Sequence, residues 1–246
     1  MPKQLRIYLV FATVHLAAAG CLVYLLLNYP VASLFTWSAV FWLVLSLVAN
    51  YAPIKIYAGG TPNTVSAGFS VAGAIIVLFN PLIAAVLVGV GTLDHRDFSR
   101  QRRFRLTLYN RSMLITCAGV SGFLLHELFS GWDSLVDAPR LMVGLGFVIL
   151  VYFVLNTALT RLVVAALDGE SFFDRYPFTG DLLLGYLFQG FVALVLVVLV
   201  TAHEALAVIV VGPLWGVRFS LEKIIELREL NEQLVQSFAD ALDLRD

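Results

Sequence analysis

Four histidines occur in the 246-residue chain, and two are followed directly by glutamate, in His126-Glu127 and His203-Glu204. An imidazole beside a carboxylate is a donor set for a divalent metal, and it also titrates near the ordinary histidine value of about 6.5. Asp133 and Asp137 lie between the two pairs in sequence and would add carboxylates if the pairs converge. The plainer alternative is four interfacial residues where helices leave the lipid. The metal, if any, stays unassigned. A haem held by two of His15, His126 and His203 has no supporting spacing. The remaining histidine sits in Asp94-His95-Arg96-Asp97, which has no partner ligands and reads as a solvated basic loop. No Gly-rich phosphate loop, Ser/His/Asp set or Cys/His cluster is present. The chain therefore reads as a non-enzyme with no cofactor.

A second group of polar residues interrupts apolar runs: His15, Asn110, Arg111, Asn156, Arg161 and Gln189. Polar groups at membrane depth are costly, which makes each a functional candidate. Asn110, Asn156 and Gln189 join the two His-Glu pairs and His15 as candidate contacts for an unknown small ligand. The competing readings are interhelical hydrogen bonds for Asn156 and Gln189, and snorkelling to headgroups for Arg111 and Arg161.

These residues need a membrane frame. Hydrophobic residues make up 60% of the chain, charged residues 13%, and the mean hydropathy is +0.87. A soluble domain has roughly 45–50% apolar and about 25% charged residues. The surplus of apolar surface excludes a soluble enzyme, a secreted disulfide scaffold and a disordered tail. The net charge of −1 points to no nucleic-acid partner. Cys21 and Cys117 lie in apolar runs and read as small buried apolar residues. Ala18-Ala19-Gly20-Cys21 loosely resembles a lipobox but lacks its leucine, and the apolar run continues past it. The first segment is expected to be a retained membrane helix.

Apolar segments cover about 7–27, 33–50, 65–79, 82–93, 106–128, 141–160, 182–200 and 205–217. Asn80-Pro81 breaks the third from the fourth, and Thr201-Ala202-His203-Glu204 the seventh from the eighth. If both pairs are hairpins and the N-terminus is cytoplasmic, all Lys and Arg except Arg140 fall on the cytoplasmic side. Single crossings would move the five arginines of the loop 94–105 outward. The hairpin reading is favoured, whether 65–93 crosses the membrane or re-enters. Arg96, Arg100, Arg102, Arg103 and Arg105 are then a topology determinant or an anionic-lipid contact. The stretch 51–63 is read as a loop.

From Arg218 onward the composition changes abruptly and charged residues become frequent, without Gly or Pro. With Val217 at heptad position a, the a positions are Val217, Ile224, Asn231 and Phe238, and the d positions Ser220, Leu227, Leu234 and Ala241. A single Asn at a is a register device of parallel two-stranded coiled coils. The alternative is an amphipathic helix packed on its own domain. Pro213 is a candidate hinge between membrane and tail.

The ending Phe238-Ala239-Asp240-Ala241-Leu242-Asp243-Leu244-Arg245-Asp246 resembles the leading helix of HD-GYP domains, bacterial phosphodiesterases that hydrolyse cyclic di-GMP. Ala241, Leu242, Arg245 and Asp246 match that family's Ala-Leu-x-x-Arg-Asp element. The preceding region is similar to membrane sensor modules of such proteins, in Val77-Leu78-Phe79-Asn80-Pro81-Leu82 and Leu108-Tyr109-Asn110-Arg111. The resemblance implies a multi-pass protein of the bacterial cytoplasmic membrane, with both termini cytoplasmic. Its output domain would follow Asp246. The helix layout is also similar to vitamin-binding subunits of energy-coupling-factor transporters, which implies a small-molecule carrier instead.

The expected fold is all-α: a polytopic membrane protein with 6–8 membrane helices, including a short broken hairpin. Residues 1–217 form the transmembrane sensor, and 218–246 a cytoplasmic coiled-coil helix. Its partners are membrane lipids and a second copy in a parallel homodimer. Pro213, Ile224, Leu227, Asn231, Leu234 and Phe238 would transmit the signal.

Overall fold

The computed structural model describes residues 3–50, 54–58, 61–65, 68–92, 104–129, 138–169, 171–172 and 180–203, and beyond them 206, 208–209, 227, 230–231, 233–235 and 237. The helices are α1 (Lys3–Asn28), α2 (Trp37–Asn50), α3 (Gly68–Leu78), α4 (Pro81–Gly91), α5 (Phe104–Leu128), α6 (Ala138–Asp168) and α7 (Gly180–Ala202). A 3₁₀ turn, Val31–Phe35, precedes α2. The described part is predominantly helical, with one departure from the all-α expectation. The stretch read as a loop contains an antiparallel hairpin, β1 (Ile54–Ala58) and β2 (Thr61–Val65), paired from Ile54↔Val65 to Ala58↔Thr61. Its signal was present: a β-branched Ile-Lys-Ile alternation followed by a two-residue Gly59-Gly60 connection.

Among the described residues three helices are long and apolar enough to cross a membrane: Lys3–Asn28, Pro139–Asp168 and Leu182–Ala202. α5 has the length, but it carries Arg105, Asn110 and Arg111 toward one end and His126-Glu127 at the other. α7 runs through Thr201 and Ala202, so the break begins at His203 rather than two residues earlier. Large apolar side chains such as Leu16, Leu27, Phe188 and Phe191 are exposed around the outside of the bundle. That is the surface of a protein solvated by lipid, since soluble monomers rarely expose apolar area so continuously.

α3 and α4 invert this pattern. Both are apolar around their whole circumference and nearly every residue is buried, as expected of a helix with no polar face. At 1.5 Å per residue each is only about 16 Å long. They form a hairpin, because the start of α3 and the end of α4 meet the same side chain. An added Cβ at Gly68 would fall 1.9 Å from Asn50 Oδ1, and Asn50 Nδ2 donates to Gly91 O at 3.4 Å. At the tip, Asn80 takes an extended conformation and its Oδ1 accepts from Ile83 N at 3.0 Å, while Pro81 occupies the first turn of α4. Proline needs no N–H partner there, and the Asn cap satisfies one of the remaining donors.

The long helices alternate in direction around this hairpin. α1 and α5 are parallel, in contact from Tyr8–Arg105 through His15–Ser112 to Tyr29–His126. α6 runs against both, since Arg6 reaches Ala165 O and Tyr109 reaches Leu159 O. α7 runs against α6 and along α3. Lys3, Arg6, Arg105, Arg111 and Arg161 therefore gather at one end of the described helices, and Arg140 lies at the other. The expected hairpin at 65–93 and the uneven placement of cations both have this structural counterpart.

Close contact rests on small residues. Gly89, Gly119 and Gly122 bring α4 and α5 together, and Gly91 lies against Ser46 of α2. A Cβ at Gly91 would meet Ser46 Cβ at 2.6 Å, whereas one at Gly146 meets nothing within 4 Å. Gly91→Ala is expected to lower stability by about 1–3 kcal/mol through overpacking. Gly146→Ala should be neutral or stabilising by up to about 1 kcal/mol. Thermal unfolding of the detergent-solubilised variants checks the pair, and an equal response at both positions would refute the packing.

Candidate functional site

The basic side chains are positioned by helix ends. Arg111 Nη1 donates to Gly89 O at 3.4 Å and to Thr92 Oγ1, which closes the C-terminus of α4. Arg6 Nη2 donates to Ala165 O at 2.9 Å in the last turn of α6. Arg161 is buried, and its Nε and Nη2 donate to Phe172 O (3.1 Å) and Ser171 O (2.9 Å) just beyond α6. A cation at a helix C-terminus meets the negative end of the macrodipole as well as open carbonyls. These hydrogen bonds replace the snorkelling alternative for Arg111 and Arg161 with a protein-internal role.

The polar candidates distribute as follows. His15 is half-buried in the α1–α5 seam, its Nδ1 2.7 Å from Ser112 Oγ and its ring edge-on to Phe11. Asn110 is half-buried on α5. His126 and Glu127 are exposed at the C-terminus of α5, with His126 edge-on to Tyr29. His203 is exposed at the C-terminus of α7, and its carbonyl accepts from Leu206 N at 3.0 Å. The two histidines thus share the end opposite the arginines. Glu204, Asp133 and Asp137 lie outside the described residues. Among the described residues no group of three or more His, Cys, Asp or Glu side chains could hold a metal.

Asn156 is bonded across to α7, but to Tyr186, a residue the sequence reading passed over, and not to Gln189. Asn156 Nδ2 donates to Tyr186 Oη, and Gln189 follows Tyr186 by one turn of α7. Tyr186 also packs on Phe69 of α3 (4.7 Å between centroids) and Phe153 of α6 (5.1 Å), and Phe69 on Tyr152 (4.9 Å). Gln189 is half-buried, and its Oε1 is buried without a partner among the described residues. The missed signal was tyrosine itself. Tyr152 precedes Asn156 by four residues and Tyr186 precedes Gln189 by three, which places each polar pair on one helix face.

No family model matches the chain, and neither the curated proteins nor the solved structures contain a match. The geometry stands alone.

What the junction of α3, α6 and α7 can do is mechanical. α7 packs on α3 and α6, and among its described hydrogen bonds the one that ties its side chains to α6 is Asn156–Tyr186. An aromatic cluster tolerates rotation, whereas the part-buried hydrogen bond selects one position. Of the residues expected to transmit a signal, Leu227, Asn231 and Leu234 are helical and exposed. Pro213, Ile224 and Phe238 lie outside the described residues, as do Arg96, Arg100, Arg102 and Arg103. Arg105 is exposed.

Tyr186→Phe keeps the ring and removes the hydroxyl. A double-mutant cycle with Asn156→Ala is expected to give a coupling of about 0.6 kcal/mol, up to roughly 1.7 kcal/mol. Unfolding in detergent measures it, and additive effects of the two substitutions would remove the latch.

Proposed function

We propose that the chain is a membrane sensor and transmission module that controls a cytoplasmic output domain acting on cyclic di-GMP. A signal received within the bundle or at its cation-poor end shifts α7 against α3 and α6, and the tail carries that shift onward. The observation that carries this reading is the unpartnered face of the tail. Leu227, Leu230, Leu234 and Val235 are helical and each at least half exposed. Their spacing puts them along one side of a helix, where apolar residues call for a partner surface. A second copy in parallel register satisfies that face and pairs Asn231 with Asn231. The resemblance of Ala241, Leu242, Arg245 and Asp246 to the HD-GYP leading helix supplies the output chemistry.

In this reading the chain has 6–8 membrane helices in the bacterial cytoplasmic membrane, with both termini and the cation-rich end in the cytoplasm, following the positive-inside bias. Residues 1–217 are the sensor and 218–246 the transmission helix. The carrier alternative has less support. Carriers with discontinuous helices aim the open half-helix ends at the substrate. Here Asn80 caps one end of α4, and Asn50 and Arg111 bind the other.

Asn231→Cys is expected to give a rapid disulfide-linked dimer in membranes under mild oxidation, while Gln233→Cys, at the outward-facing c position, stays monomeric. Failure of Asn231→Cys to cross-link, or equal cross-linking at both positions, would overturn the parallel register. An antibody to 218–246 then measures the native mass in host membranes. A band far above 27.1 kDa with cyclic di-GMP hydrolysis in those membranes is the expected result; one at that mass without hydrolysis would refute the assigned output.

A further inference from the structure

The cations at the shared end of α1, α5 and α6 divide by what they hold. Arg6, Arg111 and Arg161 each donate to backbone carbonyls at a helix C-terminus or just past it. Arg105 holds no carbonyl among the described residues. It is exposed, its Nη1 donates to Tyr8 Oη at 3.2 Å, and its guanidinium carbon stands 5.5 Å from the centre of the Tyr8 ring. A guanidinium carries five N–H donors, so the Tyr8 contact leaves most of them for another acceptor. The Tyr8 hydroxyl accepts from Arg105 and still has its own proton to donate.

The surroundings of this pair are apolar and turned outward. Leu9 and Leu16 on α1 and Phe104 and Leu108 on α5 are all exposed. One heptad deeper along the same seam, His15 and Ser112 are already bonded to each other. The seam therefore offers a polar head at Arg105–Tyr8, with an apolar wall leading away from it along α1.

We propose that the α1–α5 seam holds an anionic phospholipid. Its phosphodiester accepts from Arg105 and the Tyr8 hydroxyl, and an acyl chain lies along Leu9, Leu16 and Leu108. Charge complementarity selects this occupant. Guanidinium and phosphate match in charge and in planar two-point geometry, whereas the ammonium group of a zwitterionic headgroup would meet the same cation. The exposed leucines require acyl chains, which free phosphate lacks. This assignment depends only on the membrane character of the bundle, so it stands or falls separately from the sensor proposal.

The test uses the full chain in nanodiscs of mixed phosphatidylcholine and phosphatidylglycerol, with retained lipid counted by native mass spectrometry. The wild type is expected to retain phosphatidylglycerol preferentially. Arg105→Gln should reduce that retention about fivefold at an unchanged melting temperature. Arg140→Gln removes one cation at the opposite end and should leave retention as it was. Equal retention by the wild type and Arg105→Gln would overturn the proposal. So would an equal loss in Arg140→Gln, which would indicate bulk charge. Displacement of the lipid by excess inorganic phosphate would reassign the seam as a phosphate site and likewise overturn it.

Discussion

An apolar bundle has no water with which to close a broken helix. Every helix end buried inside it leaves N–H and C=O groups that must find partners within the protein. The α3–α4 hairpin puts that constraint at the centre of the molecule, because both of its short arms begin and end among other helices. Asn80 meets it at the tip through Ile83 N, and Asn50 and Arg111 meet it at the base through Gly91 O and Gly89 O. These three side chains come from the hairpin turn, α2 and α5. Closing the hairpin therefore also sets how its neighbours stand. The glycines of α4 and α5 follow from the same need, since a carbonyl is reached by a short side chain only when the backbones are close.

The same requirement explains why arginine clusters at one end. α4 and α6 both terminate there, so their open carbonyls and the negative ends of their dipoles share a level. Arg6 and Arg111 reach those carbonyls from α1 and α5, and Arg161 reaches the chain just past α6 from within α6 itself. Sorting cations by side has a cause in membrane insertion, and Arg6, Arg111 and Arg161 among them also serve as internal caps. One set of charges does both jobs. A cation already bonded to backbone is poorly available to a headgroup, which separates Arg105 from the others.

How much of this could be read in advance depends on whether the signal is local. The break at Asn80-Pro81 was legible because proline and its preceding residue dictate backbone shape by themselves. The hairpin reading followed from counting charges, and the meeting of Gly68 and Gly91 on Asn50 agrees with it. The β-hairpin was passed over because its Gly-Gly turn was taken as generic loop. The cost of polar groups in lipid marks out Asn156 and Gln189, but Tyr186, the partner of Asn156, carries its hydroxyl on a large apolar ring and gives no such signal. The caps formed by Arg6 and Arg111 were not legible at all. They span 159 and 22 residues of sequence respectively, and nothing near either arginine announces its partner.

Position in the bundle then separates the helices by how firmly they are held. α4 lies between α2 and α5, with glycine contacts to both. α7 packs on α3 and α6 and turns Leu184, Phe188, Phe191 and Val198 outward. A helix with two neighbours and a single polar tie to α6 among its described bonds can change its packing at lower cost than one enclosed on several sides. Among the described elements α7 is the last before the tail, whose apolar face has no cover within the described residues. For the proposed transmission role, the capped hairpin behind α7 offers a fixed reference, which a uniformly loose bundle would lack.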